Sequence, residues 1–139
     1  MHDLKTACSL LEKENYTCVL CRGDDAVTDS RRGVKPLLEL LESGRTFAGY
    51  SAADKVVGKA AAFLYCLLGV TALHAGVISQ PALAVLENAG ITVRYDTLVP
   101  AIRNRTNTGF CPMETAVWAL TDPALAPDAI RNALKNLQA

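Results

Sequence analysis

The chain has 139 residues, of which 50% are hydrophobic and 20% are charged. This length and composition predict one domain over residues 1–139 with a buried core, and they exclude intrinsic disorder. Lysine plus arginine and aspartate plus glutamate number 14 each, so the formal net charge is zero. Nucleic-acid binders usually carry a basic excess, and its absence here argues against a nucleic-acid partner.

Local patterns predict the elements in chain order. Apolar residues at helical spacing indicate helices, short β-prone segments indicate strands, and Gly, Pro and Asp mark turns. The predicted elements are a helix over 3–14, a hairpin of 16–21 and 26–29, a helix over 34–41, a short strand over 46–50, a central helix over 51–68, a strand over 70–78, a helix over 81–88, a strand over 91–95, a polar loop over 97–110, a helix over 111–120 and a last helix over 126–137. Strand, helix and strand joined by short links predict a parallel βαβ unit, and therefore an α/β domain with a mixed sheet and helices on both faces.

The central helix is the most distinctive predicted element. Ser51-Ala-Ala-Asp54 matches a capping box, and nearly every residue over 56–68 is apolar, which indicates a helix buried on all sides. Lys55 and Lys59 are four residues apart, so on a helix they share a face and oppose the macrodipole. Two such lysines destabilise a helix unless a negative charge lies nearby, which points to an anionic or polarised ligand at this helix mouth. The alternative is that both lysines reach solvent or a structural carboxylate.

The polar loop over 97–110 and the helix start after it form a second candidate region. No acidic residue lies between Asp96 and Glu114, while two arginines and several amides and hydroxyls accumulate there. Long polar loops on compact domains are often functional. Cys111 is placed at a helix N-terminus, where a thiol ionises more readily, and Arg105 adds to that effect. The alternative is an ordinary half-buried cysteine.

Other conspicuous residues have structural explanations. Cys18 and Cys21 form a Cys-x-x-Cys, but strand alternation directs them to opposite faces, which favours two buried cysteines over a zinc or redox pair. His74 has no second histidine nearby and is expected to be a core or edge residue rather than a ligand. The cations over 31–35 are explained either by a phosphate-binding turn or by a solvated surface turn.

The N-terminal segment lacks the basic and apolar layout of a signal peptide. The longest apolar stretch, over 60–73, is too short to span a bilayer. We therefore expect a cytoplasmic protein with reduced thiols and no membrane partner.

Four phrases of the sequence resemble a prokaryotic family of unknown function. They are Arg32-Gly-Val-Lys-Pro-Leu-Leu38, Asp54-Lys-Val-Val-Gly-Lys-Ala-Ala-Ala62, His74-Ala-Gly-Val-Ile-Ser-Gln-Pro-Ala-Leu83 and Asn104-Arg-Thr-Asn-Thr-Gly-Phe-Cys-Pro-Met-Glu114. The resemblance covers residues 16–120 and leaves 121–139 as a C-terminal helix. It implies the fold of the cytidine deaminases, a three-layer α/β/α arrangement around a mixed sheet of about five strands.

The zinc motifs of the deaminases are missing from this chain. Those enzymes need a His or Cys ligand and a Glu at one helix start, and Pro-Cys-x-x-Cys at the next. The two starts here read Ser51-Ala-Ala-Asp54 and Ser79-Gln-Pro-Ala82, so zinc-dependent deamination is not expected. In α/β sheets, ligands settle beyond the strand ends where helix N-termini converge. We expect a site there that uses no metal and no cofactor.

The sequence therefore predicts binding of a small anionic or nucleotide-like molecule at the mouth of the central helix. The residues expected to bind it are Ser51, Lys55, Lys59, Ser79, Asn104 and Arg105. If the protein is an enzyme, Cys111 is the expected nucleophile and Asp54 the proton acceptor. The alternatives are a regulatory or sensory binding module with the same pocket and a homodimeric structural protein. The contacts expected in such a homodimer are Phe47, Tyr50 and Trp118.

Overall fold

The structure is a computed structural model that describes residues 2–103, 109 and 111–138. The strands are β1 (Cys18–Arg22), β2 (Asp25–Asp29), β3 (Ser51–Val57), β4 (Ala72–Ser79) and β5 (Thr92–Val99). The helices are α1 (His2–Lys13), α2 (Lys35–Glu42), α3 (Lys59–Leu68), α4 (Gln80–Asn88), α5 (Pro112–Val117) and α6 (Ala126–Gln138), with a 3₁₀ turn over Pro123–Leu125 before the last. None of these helices is long and apolar enough to cross a membrane.

The five strands form one mixed sheet in the order β2-β1-β3-β4-β5. Strand β1 is antiparallel to β2 and β3, while β3, β4 and β5 run parallel. The parallel strands are joined through α3 and α4, as expected for βαβ units. The mixed five-stranded sheet and the α/β class predicted from the sequence are confirmed.

Alternate strand residues divide the core into two clusters, one on each face of the sheet. Val19, Cys21 and Ala53 pack against α1 on one face. Cys18 and Ala52 belong to the larger cluster on the other face, which contains the buried residues of α2 to α6. Helices therefore lie on both faces, and the prediction that Cys18 and Cys21 point to opposite faces is confirmed.

The predicted start of the central helix is wrong. Residues 51–57 form β3, a strand between β1 and β4, and α3 begins at Lys59 with Gly58 as its N-cap. Strand β3 is covered by helices on both faces, so its first residues are small and buried without alternation between apolar and polar. A single glycine then separates strand from helix. The apolar run over 56–68 crosses this boundary, so the hydrophobic pattern alone does not reveal where the strand ends and the helix begins.

Three further predicted elements differ from the structure by more than two residues. Residues 46–50 form a loop with a turn at 48–49 rather than a strand. Both aromatic side chains there, Phe47 and Tyr50, are buried, so they cannot serve as the expected dimer contacts. Strand β5 runs to Val99, beyond the predicted end at 95, because β4 supplies hydrogen-bond partners up to Ser79. Helix α5 ends at Val117 instead of 120.

Gly76 on β4 lies close to the backbone of β3. A Cβ added to Gly76 would lie 2.7 Å from the carbonyl oxygen of Lys55. That atom belongs to the backbone of the neighbouring strand, so it cannot move aside as a flexible side chain would.

We expect Gly76→Ala to lower the free energy of unfolding by about 3 kcal/mol, the upper end of the cost of overpacking. Urea denaturation measures this change. The matched control is Gly109→Ala, because a Cβ at Gly109 meets no atom within 4 Å. Equal stability of the two variants would contradict a close contact at Gly76.

Candidate functional site

The N-termini of two helices meet at one edge of the sheet. Val57 and Ile78 are register partners in the parallel pair, so β3 and β4 end side by side. Helix α3 follows β3 after Gly58, and α4 follows β4 directly at Gln80. Ligands of α/β sheets bind at such strand ends, where free N–H groups and helix dipoles converge.

Glu114 reaches this edge from α5 and caps α3. Its side chain is buried, with 1% of the residue exposed. Glu114 Oε2 accepts hydrogen bonds from the backbone N–H of Lys59 at 2.6 Å and of Ala60 at 3.3 Å. The first N–H groups of a helix have no partner within the helix, and Gly58 has no side chain to supply one. A carboxylate that is distant in sequence therefore performs the capping.

The second carboxylate oxygen of Glu114 is enclosed but unpartnered. Among the described residues, Glu114 Oε1 is a buried side-chain atom that has no hydrogen-bond partner. Burial raises the pKa of the Glu114 carboxyl, while the N–H groups of Ala60, Lys59 and Ile102 and the Ser79 hydroxyl lower it by a smaller amount. Ser79 and Ile102 lie near the carboxyl, but neither completes a hydrogen bond to Oε1. Glu114 therefore offers a free hydrogen-bond acceptor at the point where the two helices begin.

Ser79 and Lys59, two of the residues expected to bind a ligand, lie beside this carboxyl. Ser79 is fully buried and caps α4, since its Oγ accepts a hydrogen bond from the N–H of Ala82 at 3.2 Å. The Lys59 ammonium donates to the carbonyl oxygen of Trp118 at 2.7 Å. Gly58 and Lys59 are only half-buried. The mouth of α3 is therefore close to solvent.

Cys111 lies near the same edge, at the start of α5. Its N–H donates to the carbonyl oxygen of Ile102 at 3.0 Å, and Ile102 in turn approaches the Glu114 carboxyl. Cys111 is half-buried, which agrees with the alternative of an ordinary half-buried cysteine. Asn104 and Arg105, the other predicted residues of this region, lie outside the described residues.

Asp54 and Ser51 are not at the mouth of α3. Ser51 begins β3 and is therefore about 20 Å from the opposite end of the strand, at about 3.3 Å per residue. Asp54 lies in the middle of β3, beneath α3. Its carboxylate accepts hydrogen bonds from the Tyr65 hydroxyl at 2.6 Å and from the Val56 N–H at 3.1 Å. Burial raises the pKa of Asp54 to about 7. These contacts give the Asp54 carboxyl a structural role, and Asp54 does not lie beside Cys111 as the proposed proton acceptor would.

Lys55 and Lys59 do not share a helix face, because Lys55 belongs to β3. The Lys55 ammonium donates to Asn15 Oδ1 at 3.2 Å, just beyond the end of α1. Lys59 contacts Trp118 beside α5, on the other face of the sheet. Contrary to the prediction, the two lysines therefore do not oppose the dipole of one helix, and only Lys59 lies at the mouth.

A shallow groove of about 270 Å³ lies between α1 and the sheet. His74, half-buried on β4, lines it, and His74 Nε2 is 3.3 Å from Asp96 Oδ1 on β5. The residues that line the groove are Leu4, Lys5, Cys8, Ser9, Glu12, His74 and Arg94. Burial and the nearby acids Glu12 and Asp96 raise the pKa of the Cys8 thiol, which opposes its use as a nucleophile.

The cations over 31–35 include one that is neutralised within the protein. The Arg31 guanidinium forms ion pairs with Asp29 at 2.8 Å and with Glu39 at 2.6 Å. Both acids occupy the guanidinium that a phosphate would need to bind. The ion pairs therefore favour a solvated surface turn over a phosphate-binding turn.

The family model described as "TM1506: Domain of unknown function (DUF1893)" matches residues 6–134. The chain belongs to the DUF1893 family. A crystal structure of the DUF1893 family protein TM1506 from Thermotoga maritima has the same fold, with a TM-score of 0.85 and 29% sequence identity. The match covers 97% of this chain and 90% of that chain. No curated protein matches this chain. The predicted resemblance to a family of unknown function is confirmed.

The helix starts of this DUF1893 chain do not carry the residues that bind zinc in deaminases. Gly58 and Lys59 stand at the start of α3, and Ser79 and Gln80 stand at the start of α4. Across the described residues, no three His, Cys, Asp or Glu side chains are grouped so that they could hold a metal ion. The likeness to cytidine deaminases stays a prediction about the fold and supplies no metal chemistry here.

Glu114 is the functional candidate that the sequence missed. Its position in the first turn of a predicted helix gave it an ordinary local explanation. Its partner Lys59 is 55 residues away, so no short motif joins the two. The one available signal was Gly58, a glycine at a helix start with no capping side chain of its own.

Proposed function

We propose that this DUF1893 domain binds a small nucleotide-like molecule, without a metal ion or cofactor, at the mouth of α3. The observation that carries the proposal is Glu114 Oε1, a buried carboxylate oxygen with no partner in the described residues. An unsatisfied buried acceptor costs about 1–3 kcal/mol. A ligand that donates a hydrogen bond to this oxygen recovers that free energy.

The surroundings of Glu114 support a nucleotide-like ligand. A nucleobase presents amino or imino N–H groups, which suit an acceptor such as Oε1. The Lys59 ammonium is held by a backbone carbonyl, a neutral partner that an anionic group can replace. Ser79 supplies a hydroxyl close to the carboxyl. Asn104 and Arg105 remain candidates for the same ligand on sequence grounds.

A binding module is the simpler form of the proposal, because binding needs only these contacts. An enzymatic form would use Glu114 to exchange a proton with the ligand, since its raised pKa lies closer to neutral pH than that of an ordinary carboxyl. Cys111 would be the nucleophile in a covalent version. A cytoplasmic location is part of this proposal.

The test is a thermal-shift panel of nucleosides, nucleotides, sugar phosphates and small acids on the wild type, Glu114→Gln and Lys59→Ala. A ligand at about a hundred times its dissociation constant adds ~2.7 kcal/mol, which raises the melting temperature by several degrees. In Glu114→Gln the amide oxygen must cap α3, so an NH₂ donor faces the ligand instead of an acceptor. We expect both variants to weaken the binding of a nucleotide-like ligand about tenfold or more.

Lys55→Ala is the matched control, because Lys55 is a lysine of the same region that lies on the opposite face of the sheet. It should retain the ligand. A panel in which no nucleotide-like compound raises the melting temperature would contradict the proposal. Binding that persists in both Glu114→Gln and Lys59→Ala would also contradict it. Mass spectrometry of the bound compound after incubation separates the binding module from the enzyme.

A further inference from the structure

Strand β5 is a long edge strand that is exposed on both sides. It runs for eight residues and pairs with β4 along one edge. Every residue over 94–98 is exposed, including Tyr95 at 42% and Leu98 at 37%. Edge strands are usually protected by charged side chains, especially Lys, or by Pro, a bulge or short length, and the charged residues of β5 are Arg94 and Asp96. Strand β5 contains no Pro, Lys or Gly.

We propose that β5 pairs with β5 of a second copy of this chain, antiparallel and centred on Tyr95. The two five-stranded sheets would then form one continuous sheet across a two-fold axis. This interface does not involve the mouth of α3, so it is independent of the proposed ligand site. Three features of β5 support it: its backbone orientation, its charge pattern and its exposed side chains.

The backbone of β5 directs hydrogen-bonding groups away from β4 at the required residues, and no strand of the described residues pairs with β5 on that side. The Thr92 N–H donates to the carbonyl oxygen of Thr71, so Thr92 faces the β4 side. Because N–H and C=O directions alternate along a strand, Val93, Tyr95 and Thr97 direct theirs away from β4. In a two-fold pairing centred on Tyr95, these residues form the hydrogen-bonded pairs of the new ladder.

The charges of β5 favour this register over its neighbours. Centring the axis on Tyr95 places Arg94 directly opposite the partner's Asp96, and the symmetry repeats this pair. Centring it on Arg94 or on Asp96 would place two like charges opposite each other, which is destabilising. The Asp96 side chain is 71% exposed and already contacts His74, which holds it on this face.

The exposed apolar side chains of β5 gain partners in the same arrangement. Tyr95 lies opposite the partner's Tyr95 on the face that bears α4, and aromatic pairs across strands are stabilising. Leu98 lies opposite the partner's Thr92, whose methyl group it can contact. A second copy therefore covers apolar side chains that an isolated chain leaves in water.

The experiment measures the oligomeric state by sedimentation velocity over a range of concentrations. The wild type should be a dimer. Arg94→Glu should weaken the dimer about tenfold or more, because it replaces both symmetry-related ion pairs by repulsion between carboxylates. The double variant Arg94→Glu with Asp96→Arg exchanges the two charges, so it should restore the dimer to within about threefold of the wild type.

Thr97→Pro tests the backbone ladder separately. It removes an N–H that points away from β4, so the sheet of each chain should remain intact by circular dichroism while the dimer dissociates. Asp24→Arg is the control, a charge reversal in the exposed turn between β1 and β2 at the other edge of the sheet. It should leave the dimer unchanged. A monomeric wild type would overturn the proposal, and so would a dimer that neither Arg94→Glu nor Thr97→Pro weakens.

Discussion

Asp54→Asn is expected to stabilise the protein at pH 8 by about 2 kcal/mol or more and to leave it nearly unchanged at pH 4. Asp54 is buried in the middle of β3, and burial raises its pKa from 3.8 to about 7. Above pH 7 the folded state must hold a charged carboxylate in the core, where the charge is poorly solvated. Asparagine keeps the shape without the charge: its Oδ1 can accept from the Val56 N–H, and its NH₂ group can donate to the Tyr65 hydroxyl oxygen, with that hydrogen bond reversed.

The direction of the pH dependence follows from the raised pKa. Folding favours the protonated form of Asp54, so its contribution to stability is full below pH 3.8 and is lost as the pH rises to about 7. A shift of this size corresponds to about 4 kcal/mol, at ~1.4 kcal/mol for each pKa unit. Glu114 acts in the same direction, because its pKa is also raised by burial. Urea denaturation at pH 4, 6 and 8 measures the trend.

Two variants distinguish this origin from a general effect of lost charge. Asp24→Asn removes an exposed carboxylate from a turn, and its stability should follow the wild type at every pH. Tyr65→Phe removes the hydroxyl that lowers the pKa of Asp54, so it should extend the loss of stability to higher pH. An Asp54→Asn protein that retained the whole pH dependence between pH 4 and 8 would contradict the assignment to Asp54.

Gly58→Ala is expected to lower the free energy of unfolding by about 3 kcal/mol and to displace Glu114 from α3. A Cβ at position 58 would lie 2.7 Å from the carboxyl carbon of Glu114. The backbone at Gly58 has a φ of −93°, which any residue adopts, so the cost arises from this contact alone. Moving the carboxyl away breaks its hydrogen bonds to the N–H groups of Lys59 and Ala60.

A double-mutant cycle with Glu114→Ala isolates this contact. Once the carboxyl is removed, the methyl group at position 58 has space, so Gly58→Ala should cost less in that background. We expect a coupling free energy of about 2 kcal/mol between the two positions. Additive effects of the two substitutions in urea denaturation would show that a methyl group at position 58 does not clash with the Glu114 carboxyl.

Local pattern was sufficient to predict most elements of this fold. The amphipathic helix α1, the hairpin and the βαβ unit followed from spacing and turn residues, since these signals depend on neighbours within one or two turns of chain. Pattern failed at Ser51-Ala-Ala-Asp54, because a strand covered by helices on both faces has the same apolar composition as a buried helix. The polar residues that seemed to cap a helix are strand residues with tertiary partners, such as Tyr65 for Asp54.

The candidate site was predicted only in part for a related reason. Ser79 and Lys59 were identified because each stands at or beside a helix start, and that signal is local. Ser51 and Lys55 were included because the helix was begun too early, and the structure places them at the far end of β3 and on the opposite face. Glu114 was missed because its function depends on an N-terminus 55 residues earlier in the chain.

The sequence by itself determined the α/β class, the parallel βαβ unit, the opposed faces of Cys18 and Cys21 and the family. These properties depend on alternation, spacing and shared phrases, which are carried in the order of residues. Only the tertiary structure decided where β3 ends, which carboxylate caps α3 and which strand is left at the sheet edge. These features result from contacts between distant segments, and the burial and hydrogen bonding that fix them exist only once those segments pack together.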